Sequence, residues 1–309
     1  MYDPPMDPLI ERRLLTAGAR TLSYLAAGPL PDGGSIARSR GADVPPGAGR
    51  GNVPIRLVVF LHAFPLDAEM WVPQLRALPE GWAAVAPDFR GFGSSDPDEN
   101  RPVREDARLE DYADDVAALL DALGAGRAAV CGCSMGGYAA FALLRRLPGR
   151  VSGLLLADTR SAADSEAARA SRAAMLDLLD RDGPAAVANE MRPKLVGPTS
   201  KSSRPAVLAA IEGLMGRATA RGIGHAVSRM LNRPDATADL AAFRGPVSVV
   251  VGEEDTLTPH AEAASMAAVA AGAAFVTIAG AGHISNLEAP DAFNAAMHAW
   301  LAAVAGMTA

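Results

Sequence analysis

Ser134 lies in the segment 132–136, GCSMG, which has the G-x-S-x-G spacing of a nucleophile elbow. An apolar run before it predicts a strand, and the run YAAFALLRRL after it predicts a helix. A sharp turn between the two would hold the serine hydroxyl clear of the backbone. Glycines on either side would remove the Cβ atoms that collide with neighbouring elements. Ser134 is therefore a candidate nucleophile for attack on a carbonyl carbon.

A glycine-rich turn of this kind also occurs in nucleotide-binding folds, so the pentapeptide needs support from the rest of the chain. The segment lacks the G-x-G-x-x-G spacing of dinucleotide sites, and no Walker lysine follows it. A serine nucleophile in this setting requires a carboxylate and then a histidine further along the chain.

His283 is the candidate base among the four histidines that follow Ser134. It stands in the loop AGAGH, directly after an apolar run that ends at Ile278. Sites in open parallel sheets form beyond the carboxyl ends of the strands, which is where this loop would lie. The other three lie in or at the start of predicted helices: His225, His260 and His298.

Two aspartates are candidates for the acid that orients the histidine. Asp255 follows the apolar run VVVG, and Asp158 follows the run LLLA, so each ends a predicted strand in the required chain order. Glu253 and Glu254 lie closer to their strand and are interpreted as solvated. The residues alone leave Asp255 and Asp158 open.

The segment 61–65, LHAFP, ends the strand before the first long helical stretch. We expect the backbone N–H groups of Phe64 and Met135 to form an oxyanion hole, since two such donors stabilise the negative charge of an acyl-transfer transition state. The alternative is an ordinary strand-end turn with a buried His62.

Composition limits the classes of function. The 309 residues are 50% hydrophobic and 21% charged, which excludes a disordered chain, and the net charge of −6 offers no basic surface for nucleic acid or an anionic membrane. The only two cysteines, Cys131 and Cys133, are too close in sequence for an ordinary disulfide. The N-terminal segment lacks the apolar run of a signal peptide, and no apolar run is long enough to span a bilayer. We therefore expect a cytoplasmic protein. Chemistry by a serine nucleophile, a histidine base and a carboxylate needs no metal or organic cofactor, so none is expected.

Short apolar runs alternate with helical patterns and predict a mostly parallel, doubly wound α/β sheet. The predicted strands are Leu22–Ala27, Leu57–Leu61, Trp82–Ala86, Ala128–Cys133, Val151–Ala157, Val247–Val251 and Ala274–Ile278. The clearest amphipathic helices are Asp111–Leu123 and Asp291–Val304.

The alternation breaks over residues 161–238, where helical stretches follow one another: Ala168–Leu179, Ala206–Met215 and Ile223–Leu231. We expect these residues to form a helical lid on a core made of residues 1–160 and 239–309. A Gly- and Pro-rich stretch at about 28–54 predicts a long mobile loop within that core.

Together the motifs resemble the α/β-hydrolase superfamily over about residues 56–301. HAFP is similar to its H-G-x-P oxyanion loop, with Ala63 in place of glycine, and DFRGFGSS is similar to its D-x-R-G-x-G-x-S loop. GCSMGG resembles its nucleophile elbow, and GEEDTLTP resembles the segment that carries the acid, which favours Asp255 over Asp158. The segment AGHISNLEAP, which carries His283, is similar to the corresponding segment of 3-oxoadipate enol-lactonases, small carboxylesterases and non-haem haloperoxidases (perhydrolases). The resemblance implies a structural rather than a catalytic role for Glu288, a carboxylate at a helix start.

The resemblance implies a Ser134–His283–Asp255 triad that hydrolyses small-molecule esters or lactones. Perhydrolases and carbon–carbon bond hydrolases keep the same triad, and a non-catalytic receptor could keep the fold, so these remain alternatives. Haloalkane dehalogenases and epoxide hydrolases are disfavoured because they use aspartate where Ser134 stands. Basic residues of the lid could bind a substrate carboxylate or form a solvated face, which we favour: Arg192, Lys194, Lys201, Arg204 and Arg217. The oligomeric state is not predicted.

Overall fold

The computed structural model describes residues 9–18, 20–30, 56–98, 102–103 and 107–307. The loop predicted at about 28–54 falls almost entirely on residues 31–55, which lie outside the described residues. The prediction of its mobility therefore stays a prediction.

Eight strands form one sheet, and all seven predicted strands are among them. Their bounds are β1 Ile10–Ala17, β2 Arg20–Ala27, β3 Arg56–Leu61, β4 Trp82–Pro87, β5 Ala128–Cys133, β6 Val151–Ala157, β7 Val247–Gly252 and β8 Ala274–Ile278. The unpredicted strand is β1, whose sequence IERRLLTA has neither a continuous apolar run nor clean alternation. It is a half-buried edge strand, so burial places little demand on its side chains.

The strand order is β1-β2-β4-β3-β5-β6-β7-β8. The first two pairs in this order, β1 with β2 and β2 with β4, are antiparallel. Every other pair of neighbouring strands, from β4 to β8, is parallel. Strands β4 to β7 are buried along their whole length, which explains their unbroken apolar sequences. The sheet confirms the predicted mostly parallel α/β architecture.

Eleven α-helices occur in the described part of the chain. They are α1 Val72–Arg76, α2 Glu110–Ala122, α3 Met135–Arg146, α4 Glu166–Leu195, α5 Pro198–Ser203, α6 Pro205–Met215, α7 Ala220–Leu231, α8 Thr237–Ala242, α9 His260–Val269, α10 Ser285–Glu288 and α11 Pro290–Met307. Helices α2 and α11 correspond to the two amphipathic helices predicted from the sequence. No helix among the described residues is both long and apolar enough to cross a membrane.

Helices α4 to α7 follow one another between β6 and β7 and fall within residues 161–238, which we call the lid region. Helix α4 is longer than the predicted 168–179 because it resumes after a break at Gly183, where φ is 78° and ψ is −176°. This backbone conformation is accessible to glycine but strained for other residues. The break divides α4 into two halves that run in different directions.

The carboxyl ends of β5, β6 and β7 lie side by side, because these strands are adjacent and parallel. Ser134, Asp158 and the segment 253–258 follow these three ends, and the loop 279–284 follows the neighbouring end of β8. The topology therefore gathers the predicted site residues at one edge of the sheet, as expected for open α/β sheets.

Candidate active site

Ser134 occupies a strained turn between β5 and α3, with φ 51° and ψ −113°. The turn is crowded: a Cβ on Gly132 would collide with the backbone of Gly136, and a Cβ on Gly136 would collide with the carbonyl of Leu61. The Ser134 N–H donates to Ala157 O at 2.9 Å. These contacts explain the glycines two positions on either side of the serine, which let the elbow fit between β3 and α3.

The imidazole of His283 bridges Ser134 and Asp255. Its Nε2 lies 2.8 Å from Oγ of Ser134, and its Nδ1 lies 2.9 Å from Oδ2 of Asp255. The carboxylate partner requires a hydrogen on Nδ1, so Nε2 is left to accept the serine proton. The geometry therefore joins the serine hydroxyl, the imidazole and the carboxylate in one chain of hydrogen bonds.

Asp255 is held by its own loop as well as by His283. Its Oδ1 accepts from the N–H groups of Leu257 at 2.8 Å and Thr258 at 3.0 Å, and its Oδ2 accepts from the Thr258 hydroxyl. Burial opposes ionisation of Asp255, but His283 and these donors outweigh it and lower the pKa of the carboxyl below its usual value. Asp255 is thus an anion at neutral pH.

The pKa of His283 is raised above its ordinary value. Burial would lower it, but the charge and hydrogen bond of Asp255 act in the opposite direction, and Asp158 adds a smaller contribution of the same sign. A raised pKa makes the imidazole a stronger acceptor for the serine proton, which suits a general base.

Asp158, the alternative acid, lies nearby but bonds other groups. Its Oδ1 accepts from Gly252 N–H at 2.8 Å, and its Oδ2 accepts from the N–H of Ser285 at 3.3 Å and its hydroxyl at 2.5 Å. Burial and the charge of Asp255 raise the pKa of Asp158. Its carboxyl therefore links the end of β7 to the residues after His283, and the imidazole pairs with Asp255.

Phe64 and Met135 are the expected oxyanion donors. Phe64 lines the same cavity as Ser134, and Met135 is the first residue of α3. Within the part of the chain that the structure describes, neither backbone N–H has a hydrogen-bond partner. Both amides are thus free to donate to an incoming oxygen.

His62 precedes this loop and is fully buried. Its Nε2 accepts from Phe89 N–H at 2.9 Å, and its Nδ1 lies 3.0 Å from Ala63 O. Burial lowers the pKa of His62 to about 4, so the ring is neutral and Nδ1 carries the hydrogen. His62 joins the predicted oxyanion loop to the loop after β4.

A cavity of about 480 Å³ opens above Ser134 and His283. One wall comes from the core and the other from helices α4 and α7 of the lid region. The apolar lining residues are Phe64, Tyr138, Ala168, Met175, Met191, Met230 and Leu257. The volume, and a lining that combines these apolar side chains with polar and charged ones, suit a small organic substrate.

The charged residues of this cavity are mostly paired. Arg172 and Arg233 both bond Asp164, Arg160 bonds Glu262 and the Leu257 carbonyl, and Lys194 bonds Glu190. Of the five basic lid residues singled out from the sequence, Lys194 lines the cavity. Arg192 pairs with Glu212, Lys201 with Pro193 O, Arg204 with Gly280 O, and Arg217 with Asp67 and Glu69.

Sequence reasoning missed Arg160 and Arg172 as lining residues. Arg160 stands two residues after Asp158, just beyond a strand end, and that position could have suggested it. Arg172 lies on α4 and lines the cavity, a placement that no local sequence pattern indicates. Among the described residues, no group of three or more His, Cys, Asp or Glu side chains is arranged to hold a metal ion.

Residues 56–290 match the sequence model of a family described as "alpha/beta hydrolase fold". Among curated proteins, 3-oxoadipate enol-lactonase 2 of Acinetobacter baylyi is 26% identical over 242 residues, which cover 78% of this chain and 87% of that protein. The non-heme chloroperoxidase of Streptomyces lividans is 30% identical over 224 residues, which cover 68% of this chain and 78% of that protein.

Among solved structures, a thermophilic esterase from Thermogutta terrifontis superposes with a TM-score of 0.78. It is 32% identical, and the match covers 96% of this chain and 98% of that one. The enol-lactonase from Burkholderia xenovorans superposes with a TM-score of 0.77 at 24% identity, over 94% of this chain and 99% of that one, which bears on the fold alone.

Proposed function

The chain belongs to the alpha/beta hydrolase fold family, and we propose that it is a serine hydrolase that cleaves carboxylic esters or lactones through an acyl-enzyme. The observation that carries the proposal is the hydrogen-bonded chain from Ser134 Oγ through His283 to Asp255, with distances of 2.8 and 2.9 Å. The named relatives, an enol-lactonase and an esterase, support the same class of reaction.

In the first half of the reaction, Oγ of Ser134 attacks the substrate carbonyl carbon while its proton passes to Nε2 of His283. The carbonyl π electrons move to the oxygen, which becomes an oxyanion held by the N–H groups of Phe64 and Met135. Asp255 remains ionised and stabilises the imidazolium.

The tetrahedral intermediate then collapses, and the bond between the carbonyl carbon and the leaving oxygen breaks. His283 gives its proton to that oxygen, which departs as an alcohol or, in a lactone, stays attached as a free hydroxyl. A water molecule repeats the attack on the acyl-enzyme with His283 as the base. The products are a carboxylic acid and the restored Ser134 hydroxyl.

We propose that the lid region, residues 161–238, covers the cavity and contacts the substrate. Helix α4 contributes Met175 and Met191, and α7 contributes Met230. Unbranched thioether side chains adapt their shape to different ligands. This lining favours a small or medium apolar acyl group and tolerance of several chain lengths.

The charges of the cavity favour neutral substrates. Arg160, Arg172 and Lys194 line it, but each already pairs with a carboxylate of this chain. A substrate carboxylate would therefore compete with Glu262, Asp164 or Glu190 for its cation. We expect faster hydrolysis of neutral than of carboxylated lactones.

The test is a panel of p-nitrophenyl esters and of neutral and carboxylated lactones, with a Ser134→Ala variant as the control. The proposal expects turnover of short-chain esters or neutral lactones that the variant lacks. A wild-type protein that hydrolyses none of the compounds in the panel would contradict the proposal. A clear preference for the carboxylated lactone would instead support an enol-lactonase-like specificity.

Perhydrolysis is a second candidate, because a relative that is 30% identical is named a non-heme chloroperoxidase. In that reaction hydrogen peroxide replaces water in the attack on the acyl-enzyme, and the product is a peracid. The same three residues would carry it. Peracid formation from acetate and hydrogen peroxide, measured by halide oxidation, tests this alternative directly.

A further inference from the structure

Glu288 holds the backbone on both sides of His283. Its Oε1 accepts from Gly282 N–H at 2.9 Å and from Ile284 N–H at 3.3 Å. These two amides flank the histidine, so the carboxylate fixes the peptide planes from which the imidazole projects. Glu288 is buried, at 2% exposure, and does not touch the serine hydroxyl.

The other oxygen of the same carboxylate holds the lid region. Oε2 of Glu288 accepts from Gly197 N–H at 2.9 Å, and Gly197 connects α4 to α5. The two backbones are in close contact here, because a Cβ added to Gly197 would lie 2.9 Å from Gly282 N. One buried side chain therefore bonds both the histidine loop, residues 282–285, and the lid region.

The three donors explain why a carboxylate is needed at this position. In the described part of the chain no lysine or arginine forms an ion pair with Glu288, so the backbone amides are its polar partners. A carboxylate accepts on both oxygens at once. A glutamine has one acceptor oxygen, and its NH₂ group would face an N–H group on the other side. Whichever way the amide points, its NH₂ group repels a facing N–H group and displaces the side chain, so the contacts to the histidine loop and to the lid region are both weakened.

Helix α4, which ends two residues before Gly197, carries Arg172, Met175, Met191 and Lys194 along the cavity. The same side chain thus bonds the backbone just after α4 and the backbone beside His283. We propose that Glu288 is a positioning residue: it fixes the imidazole of His283 relative to Ser134 and couples that position to the lid region. The proposal rests on the function proposed above, in which His283 is the base.

Glu254 provides a matched control. Its carboxylate also bonds the lid region, through Thr199 N–H at 2.9 Å and the Thr199 hydroxyl, but it does not bond the histidine loop. Glu254→Gln and Glu288→Gln make the same chemical change and loosen contacts two residues apart in the lid region. Only Glu288→Gln also affects the amides beside His283.

The experiment measures kcat and KM for p-nitrophenyl acetate in the two variants and in the wild type. We expect Glu288→Gln to lower kcat by about 10²-fold with KM within about threefold, because misplacement of a reacting group by about 1 Å has this effect. Glu254→Gln should keep kcat within about twofold. An unchanged kcat in Glu288→Gln, or an equal loss in both variants, would overturn the proposal.

Thermal unfolding establishes that each variant is folded at the assay temperature. Should Glu288→Gln not fold, Gly282→Ala replaces it, because its methyl group would lie 2.3 Å from Gly197 N and force the histidine loop and the lid region apart while Glu288 and Glu254 remain. We expect kcat to fall at least about tenfold in that variant, and an unchanged kcat would overturn the proposal. Turnover by the wild type, and its loss in Ser134→Ala, are measured first. If the wild type shows no such turnover, the proposed function fails; if it does, the kcat of the Glu288 variant tests the Glu288 proposal alone.

Discussion

Oδ2 of Asp255 lies 2.9 Å from Nδ1 of His283, whereas the carboxyl of Asp158, which ends the neighbouring strand, bonds Gly252 and Ser285. Both aspartates follow a strand end in the required chain order, Asp158 one residue after β6 and Asp255 three residues after β7. Their hydrogen bonds separate them, because the pair with the imidazole fixes the tautomer that accepts the serine proton. The two roles lead to different expectations for substitution.

Asp255→Asn should lower kcat for a p-nitrophenyl ester by about 10⁴-fold, since the amide no longer selects the tautomer with the hydrogen on Nδ1. Asp158→Asn should lower it by no more than about 10²-fold, because only the support of the histidine loop is weakened. Steady-state kinetics of both variants check this expectation. A larger loss in Asp158→Asn than in Asp255→Asn would make Asp158 the acid.

The pH profile of kcat/KM should have its acid limb above pH 6.5. Activity requires neutral His283, and Asp255, with a smaller contribution from Asp158, raises the pKa of that imidazole above 6.5 in spite of burial. Activity is therefore lost as the pH falls through this raised pKa. Arg160 acts in the opposite direction and lowers the pKa of His283.

Removal of the Asp255 charge should move the acid limb to lower pH, although the rate itself is smaller. The comparison uses the residual kcat/KM of Asp255→Asn from pH 5 to pH 8, in buffers of constant ionic strength. If the acid limb of kcat/KM lies at the same pH in Asp255→Asn and in the wild type, Asp255 does not set the pKa of His283.

Acid should destabilise the fold through His62. Its folded-state pKa is about 4 because of burial, whereas the pKa of an unfolded histidine is about 6.5. The unfolded chain therefore binds more protons between these values, and the free energy of unfolding falls by about 3 kcal/mol as the pH drops from 6.5 to 4.

His62→Gln retains an acceptor for Phe89 N–H but does not titrate. We expect it to be less stable than the wild type at pH 7 and to lose less stability on acidification, as measured by urea unfolding at pH 7 and pH 4.5. Equal losses in the two proteins would show that His62 is not the group responsible.

Gly183→Ala should disturb the lid region, although Gly183 itself does not line the cavity. The φ of 78° and ψ of −176° at the break in α4 are strained for alanine, by about 1–3 kcal/mol. Relief of that strain would shift Met175 relative to Met191, which lie on opposite sides of the break and line the cavity. We expect KM for p-nitrophenyl butyrate to rise severalfold with kcat within about twofold, whereas a loss confined to kcat would contradict this.

The sequence predicted the sheet well because its central strands are buried on both faces and so consist of unbroken apolar runs. Edge strand β1 was missed because partial exposure leaves its sequence without that signal. Helix α4 extends beyond the predicted 168–179 because the chain bends at Gly183 and continues as a helix to Leu195.

The superfamily resemblance is confirmed by the family match, and the chemical motifs lie together at one edge of the sheet. Their catalytic roles stay predictions. What no local pattern could give is the set of contacts between distant segments. The bond from Glu288 to Gly197 joins residues 91 positions apart, and that from Asp158 to Ser285 joins residues 127 apart. Both depend on the complete fold.

The most direct test of the central claim is covalent labelling of Ser134. A fluorophosphonate probe reacts with a serine only when a base activates its hydroxyl, and digestion followed by mass spectrometry locates the adduct. We predict rapid, stoichiometric labelling of the peptide that contains Ser134, and none in Ser134→Ala or after protein denaturation. A native protein that leaves Ser134 unlabelled, or that carries the adduct at another residue, would contradict the assignment of Ser134 as the nucleophile.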